Sequence, residues 1–448
     1  MQKVFVNRVL GEGKFNLFHW MFLILLFLIV TFEGYDLVVY GASVPLIMKY
    51  WFLKPAYAGV IGTYALFGAA LGSLCFGRLA DKIGRKKTIV ICTTLFSVCM
   101  IVCAVSPNPI IFGVFRVLTG IGIGGAMPNV VALATEWTPV RHRSLMVTAI
   151  YTGMQWGGVL AAGIGIWLLP LYGWRSLYLF GSITILLLPF LLGWLPETAP
   201  RLIATGRIAD LIKQIKRAQP QVTLPEGAEY DVDKTADASP LIDVFRQNRA
   251  LSSVCFIIVY FTTLYMIYGL NIWLPKLMMN AGYPLGSALT FLLVLNLGCF
   301  ILNIFTAAIA DKIGPRKMVL ISYFLGFFVI ASLSMKTNIW LLYLLVALAG
   351  VLTMGAHNIV HAYVSQFYPP SVRSTGLGLC FGLGRIGAVL GPILGGVLMQ
   401  MHVTIFVSFL AFAIPSMISF FAFLLTQDKY SYTTQAIAAS KAQQTVRV

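Results

Sequence analysis

Charge is scarce in this chain: Asp, Glu, Lys and Arg make up 10% of 448 residues, against 59% hydrophobic ones. A water-soluble domain carries about 25% charged residues, so the shortage excludes a chain that meets water over most of its surface. No GxxxxGK[ST] loop occurs, which excludes ATP as the driving cofactor. GEGKFN near the start lacks the strand and helix context of a nucleotide loop. GIGIGG (120–125) lies within an apolar run with no strand before it, so it is no dinucleotide fingerprint. No nucleophile–base set and no metal-ligand set is evident, so neither enzyme chemistry nor a cofactor is expected. All seven Cys fall inside apolar runs, and no disulfide is expected. Cys92, Cys99 and Cys103 share a helix face, where packing is favoured over soft-metal binding. A cleavable signal peptide is not expected, because the first apolar run is too long and lacks an evident cleavage site.

Long apolar runs are what the chain has in abundance. A run of about 18 residues or more is long enough to cross a bilayer. Twelve occur, at 19–42, 56–79, 88–105, 109–134, 145–168, 174–195, 251–278, 286–310, 318–335, 339–366, 374–399 and 402–426. They predict an all-α polytopic membrane protein with twelve transmembrane helices. With the N-terminus inside, inner loops and tails hold 25 of the 32 Lys and Arg. Outer loops hold Lys49, Lys54, Arg175, Lys276 and Lys336, and Arg116 and Arg385 fall within helices. This bias predicts both termini in the cytoplasm. The net charge of +17 therefore reads as topology and lipid headgroup contact; no aromatic-basic pattern suggests nucleic acid. Seven of the nine Trp lie near run ends, as interfacial anchors do.

Six runs precede the hydrophilic stretch 196–250 and six follow it, which predicts bundles at 1–195 and 251–448 joined by a linker. The linker holds a candidate surface helix, GRIADLIKQIKRAQ, and an acidic segment, EGAEYDVDKTADASP. GRLADKIGRKK (77–87) and AAIADKIGPRK (307–317) stand 230 residues apart, and so do Pro139 and Arg143 of PVRHRS from Pro369 and Arg373 of PPSVRS. Two anchors at one spacing indicate a duplicated half. Duplicated bundles are a transporter architecture, with the substrate site expected near the midplane between repeats.

GRLADKIGRKK resembles the signature loop of the major facilitator superfamily, Arg116 in FRVLTGIGIGGA its fourth-helix arginine motif, and LPETAPR (195–201) the segment that closes its sixth helix. EGYDLVVYG, PVRHRS and GLGRIGAVLGP (382–392) resemble, more narrowly, the aromatic acid:proton symporters, bacterial permeases for benzoate, hydroxybenzoates and related acids. The resemblance implies two pseudo-symmetric six-helix bundles in the bacterial cytoplasmic membrane, working as a monomer. It further implies import of a small aromatic carboxylate with protons by alternating access. The first acid is Glu33 where the narrower family more often has Asp, and Pro315 stands where the first loop has Arg85. GGVLAAGIGI (157–166) lacks the proline usual in exporters, which points to uptake. A carrier for another organic acid, phosphate or sugar is the alternative.

Glu33 and Asp36 lie on one helix face, continued by Tyr40. An ionised Asp at a transmembrane helix centre costs about 2.5–3.5 kcal/mol, so such acids face a cavity or a partner. At about 1.5 Å rise per residue, Asp36 lies ~9 Å and Glu33 ~13 Å below the first run's outer end, and Arg116 ~10 Å below its own. Asp36 is therefore expected to pair with Arg116 and release it on protonation, as a proton carrier; a static packing pair is the alternative. Arg385 has no acid evident near it in the second half and offers a planar donor fork to an anionic substrate, or else holds backbone carbonyls. His357 and His361, four apart, lack the further ligands of a metal site and read as cavity-lining or packing residues. The family's cavity-lining helices add Tyr265, Tyr268 and Asn271. Trp156 is the Trp nearest mid-membrane, placed for packing or for stacking on an aromatic ring. Asp81, with Arg85 nearby, is expected to clasp helix N-terminal amides and cations, with Asp311 as its second-half counterpart; Glu136 with Arg141 and Arg143 is a second candidate clasp.

Overall fold

The computed structural model describes residues 3–222, 224–225, 228–232, 241–335, 337–432 and 434–435. Lys336, most of the acidic segment 226–240 and the tail beyond 435 lie outside them. Among the described residues twelve helices are long and apolar enough to cross a membrane. In chain order they are α1 (Leu17–Trp51), α2 (Pro55–Ile83), α3 (Arg85–Val105), α4 (Pro109–Trp137), α5 (Val140–Tyr172), α6 (Arg175–Trp194), α7 (Ala250–Asn280), α8 (Leu285–Ile313), α9 (Pro315–Ser332), α10 (Ile339–Phe367), α11 (Pro370–Gln400) and α12 (Ile405–Leu424). Apolar chain in lipid has no water to satisfy its peptide groups, so it closes them within helices.

The helix boundaries follow local chemistry. Asn108 Oδ1 accepts the Ile111 N–H at 2.9 Å, and Pro109 follows in the first turn of α4, where a missing N–H costs nothing. Gly84 and Gly314, 230 apart, end α2 and α8 at φ +98° and +92°, a backbone region open to glycine. Several helices outrun their apolar stretches. The largest difference is in α1, which continues through Pro45 to Trp51 instead of ending at 42.

Contacts divide the chain into two units, Met1–Leu46 with Tyr64–Thr235, and Ile47–Thr63 with Ala236–Val448. In the first unit the stretch after α6 is not a loose tether. The helix Ile208–Ala218 buries Leu211 and Ile215 in one cluster with Val6, Leu10 and Trp137. Ile208, Leu211, Ile212 and Ile215 recur at helical spacing, and the strand Glu229–Asp231 pairs in parallel with Lys3–Phe5.

The internal repeat reappears in the packing. A Cβ on Gly157 of α5 would collide with the Thr31 carbonyl of α1, and one on Gly387 of α11 with the Phe261 carbonyl of α7. Gly120 of α4 stands in the same way against Ala65 of α2, and Gly350 of α10 against Leu295 of α8. Each member of the second contact lies 230 residues beyond its counterpart in the first. Small residues let membrane helices approach to backbone contact, and here both units use them in one register. Within their length, α10 widens into a single π-turn over Val351–Gly355, and α6 tightens to a 3-10 helix over Ser182–Leu187.

Candidate functional site

In the first unit, Asp36 of α1 meets Arg116 of α4, 0% and 1% exposed. Arg116 Nη1 donates to Asp36 Oδ1 and Nη2 to the Asp36 carbonyl at 3.3 Å. The guanidinium carbon lies 6.0 Å from the Tyr40 ring centroid and 5.9 Å from that of Tyr178. These aromatic faces attract the cation and exclude water. Tyr178 in turn shares a hydrogen bond with Ser43 at 3.2 Å and stacks edge-on against Phe112. Asp36 Oδ2 and Arg116 Nε have no hydrogen-bond partner among the described residues. A pair so dry and so incompletely satisfied contributes little net stability, yet is costly to break from one side.

The level at which the pair meets does not follow from helix ends. With α1 ending at Trp51, the same count puts Asp36 ~22 Å from its end, against ~10 Å for Arg116, so the two meet without lying equally far from their helix ends. Glu33, one turn earlier, is 9% exposed. It lines a cavity of about 20 Å³ with Phe32, Thr93, Phe96, Gly122 and Thr184, room for about one water molecule. Thr93 Oγ1 is buried there without a hydrogen-bond partner among the described residues.

The second unit holds a different group. Arg385, half-buried on α11, stands 5.2 Å over the Phe381 ring one turn earlier. It makes no ion pair or hydrogen bond among the described residues. The His357 ring lies 6.4 Å from Phe381 and 5.1 Å, edge-on, from Tyr260 of α7. Tyr260 is fully buried, and its hydroxyl is 2.9 Å from His361 Nδ1. Arg385, His357 and His361 thus come together through two rings, Tyr260 and Phe381, that the sequence reading missed. Phe381 was detectable from its place one helical turn before Arg385; Tyr260 carried no local signal. No cluster of three or more metal-ligating side chains occurs among the described residues.

Tyr265 packs on Phe412 with ring centroids 5.8 Å apart, and Tyr268 is half-buried. The Asn271 amide donates to the Ile267 carbonyl and accepts from Asn296 of α8 at 3.1 Å, so its polar atoms serve the helix pair. Trp156 is exposed on α5.

Asp81 and Asp311 are exposed and make no ion pair or hydrogen bond among the described residues. Instead Glu197, from LPETAPR, reaches the start of α3: its Oε1 accepts from Thr198 N at 2.9 Å and Lys86 N at 3.4 Å, and its Oε2 fills the space a Cβ on Gly84 would need. A carboxylate at a helix N-terminus is stabilised by the free amides there. Glu136 accepts from Ala199 N at 2.6 Å, with Arg85 and Arg143 close enough to act on its charge. Arg143 itself donates to the Thr138 carbonyl at 3.1 Å, and Arg141 is exposed. Glu197 escaped the sequence reading because its motif was noticed for its place in the chain and not for its carboxylate.

Comparison with known proteins sets this geometry in a family. Residues 26–335 and 289–446 match the Major Facilitator Superfamily, a family of transporters and not of enzymes. The chain is 38% identical to the benzoate transport protein of Acinetobacter baylyi, covering 98% of this chain and 96% of that protein. It is 33% identical to the gallate transporter of Pseudomonas putida, over 94% and 95% of the two chains. Its fold is similar to that of a crystallised D-xylose-proton symporter, with TM-score 0.73 at 16% identity over 93% and 98% of the two chains.

Proposed function

The chain belongs to the major facilitator superfamily as a multi-pass membrane protein, and from that premise we propose that it imports a small aromatic carboxylate together with protons by alternating access. The observation that carries this reading is the contrast between the two buried-helix arginines. Arg116 is taken by Asp36, whereas Arg385 stands over an aromatic ring with no carboxylate on it among the described residues. A free guanidinium fork beside Phe381 suits a flat ring bearing a carboxylate. Similarity to benzoate and gallate transporters supports the same class.

In this reading Arg385 anchors the anion, with His357 and His361 beside it, and Tyr40, Trp156, Tyr265, Tyr268 and Asn271 shape the path. Asp36 takes up a proton, releases Arg116 and so links proton movement to the rocking of halves 1–195 and 251–448 about the linker 196–250. Glu33, beside its small cavity, is the second titrating acid. Asp81, Arg85, Glu136, Arg143 and Asp311 act at the loop ends as conformational clasps. The protein sits in the bacterial cytoplasmic membrane with both termini inside, surrounded by lipid, and one chain is the working unit.

One proton with one monoanion moves no net charge, so the membrane potential, worth ~2.3 kcal/mol per charge per 100 mV, adds nothing unless Glu33 carries a second proton. The test is uptake of labelled benzoate and hydroxybenzoates into proteoliposomes under an imposed pH gradient. Saturable accumulation that a protonophore collapses is expected; absence of accumulation for every aromatic acid contradicts the reading.

A further inference from the structure

Resting on that reading, we infer that His357 is a specificity-determining residue that binds a ring hydroxyl, so that aromatic carboxylates hydroxylated away from the carboxyl group are preferred over the unsubstituted acid. Two imidazoles sit one turn apart on α10, but they are not equivalent. His361 is engaged by the Tyr260 hydroxyl at 2.9 Å. His357 makes no hydrogen bond among the described residues, and its Nδ1 is buried. A buried polar atom left without a partner is costly, and native structures rarely keep one without a use.

The position of His357 is itself specified. It stands two residues beyond the π-turn Val351–Gly355, an insertion that turns the residues after it to a new face and occurs often at functional sites. Tyr260 holds its ring edge-on from the other side. Phe381 is near both His357, at 6.4 Å, and Arg385, at 5.2 Å. A benzoate-like ring stacked at Phe381 with its carboxylate on Arg385 presents its far substituents toward the imidazole. A hydroxyl both donates and accepts, so it satisfies a neutral imidazole in either tautomer, whereas a bare ring satisfies neither. The first half holds no copy of the device: 230 residues earlier stand Met127 and Gln155 in place of His357 and Arg385.

The test is competition by unlabelled benzoate and 2-, 3- and 4-hydroxybenzoate against a labelled aromatic acid, with the full-length protein in proteoliposomes. Wild type is expected to bind the better of the 3- and 4-hydroxy acids about tenfold more tightly than benzoate. The 2-hydroxy acid, whose hydroxyl bonds to its own carboxylate, should rank with benzoate. His357→Phe should abolish the preference, so that the hydroxy acids and benzoate compete equally, and His357→Gln, which keeps a hydrogen-bonding group, should retain part of it. Equal affinities in wild type, or a preference intact in His357→Phe, overturn the inference while leaving aromatic acid transport standing. Should neither variant fold, the wild-type ranking alone decides. Failure of all four acids to compete overturns the transport reading and the inference with it.

Discussion

Residues 230 apart occupy matching places in the two units, and the match is close for backbone contacts but fails for polar side chains. Gly157 meets Thr31 as Gly387 meets Phe261, and Gly120 meets Ala65 as Gly350 meets Leu295. Where the first unit buries Asp36 and Arg116, the second has Met266 and Val346, both fully buried. Where the second carries His357, Phe381 and Arg385, the first has Met127, Tyr151 and Gln155. The duplicated part is the scaffold of small-residue helix contacts, and each copy has its own polar chemistry: an acid–arginine pair in one, and in the other two imidazoles with an arginine that has no acid on it among the described residues. In the proposed function, proton handling and anion handling accordingly fall to different halves.

The sharpest way to break this comparison is to rewrite one unit in the image of the other. Arg116→Leu leaves Asp36 buried without its cation and should cost about 3–5 kcal/mol, read as a large fall in the thermal unfolding temperature in detergent. The double change Asp36→Met with Arg116→Val, copying Met266 and Val346, should recover most of that stability, since well-packed apolar residues replace buried ion pairs at little cost, yet give no pH-driven uptake. A double variant as unstable as the single one would mean the pair is not a separable insertion on a common scaffold.

Arg385→Ala carries the next largest effect, on binding and not on folding. Loss of charge-assisted hydrogen bonds worth about 1.5–3 kcal/mol should weaken substrate binding roughly ten- to hundredfold with melting nearly unchanged, as measured by equilibrium binding beside thermal unfolding. Gly157→Ala and Gly387→Ala probe the shared scaffold. Each forces a methyl group into a facing backbone and should cost about 1–3 kcal/mol, and the two should be similar; a cost confined to one unit would break the packing symmetry. Smallest are Asp81→Asn and Asp311→Asn, which should leave melting unchanged because neither side chain has a partner to lose among the described residues. Any clasp role must then appear as reduced uptake alone.

The twelve helices and the duplication were legible because both are written in local pattern: run length, loop charge, and motifs recurring at one spacing. The acids of α1, Arg116 of α4 and Arg385 of α11 were legible for a related reason, since ionisable residues in apolar chain are conspicuous. What stayed hidden depended on three-dimensional proximity or on exceptions to local rules. Pro45 looks like a helix end, but the apolar residues after it keep α1 going to Trp51. Tyr260 reads as one aromatic among 19 Tyr, and only the approach of α10 to α7 gives it His361 as a partner. The π-turn in α10 has no signature in VLTMG. Residues 196–250 read as a linker by hydrophilicity, and within them the apolar stripe of Ile208, Leu211, Ile212 and Ile215 packs into the core of the first unit.

The central claim is that the Asp36 carboxylate gains and loses a proton as part of each transport cycle. Proteoliposomes bearing Asp36→Asn measure it most directly, when pH-gradient-driven accumulation and gradient-free exchange of a labelled aromatic acid are followed side by side. The account predicts that accumulation is lost while exchange persists; accumulation undiminished in the amide variant would contradict it.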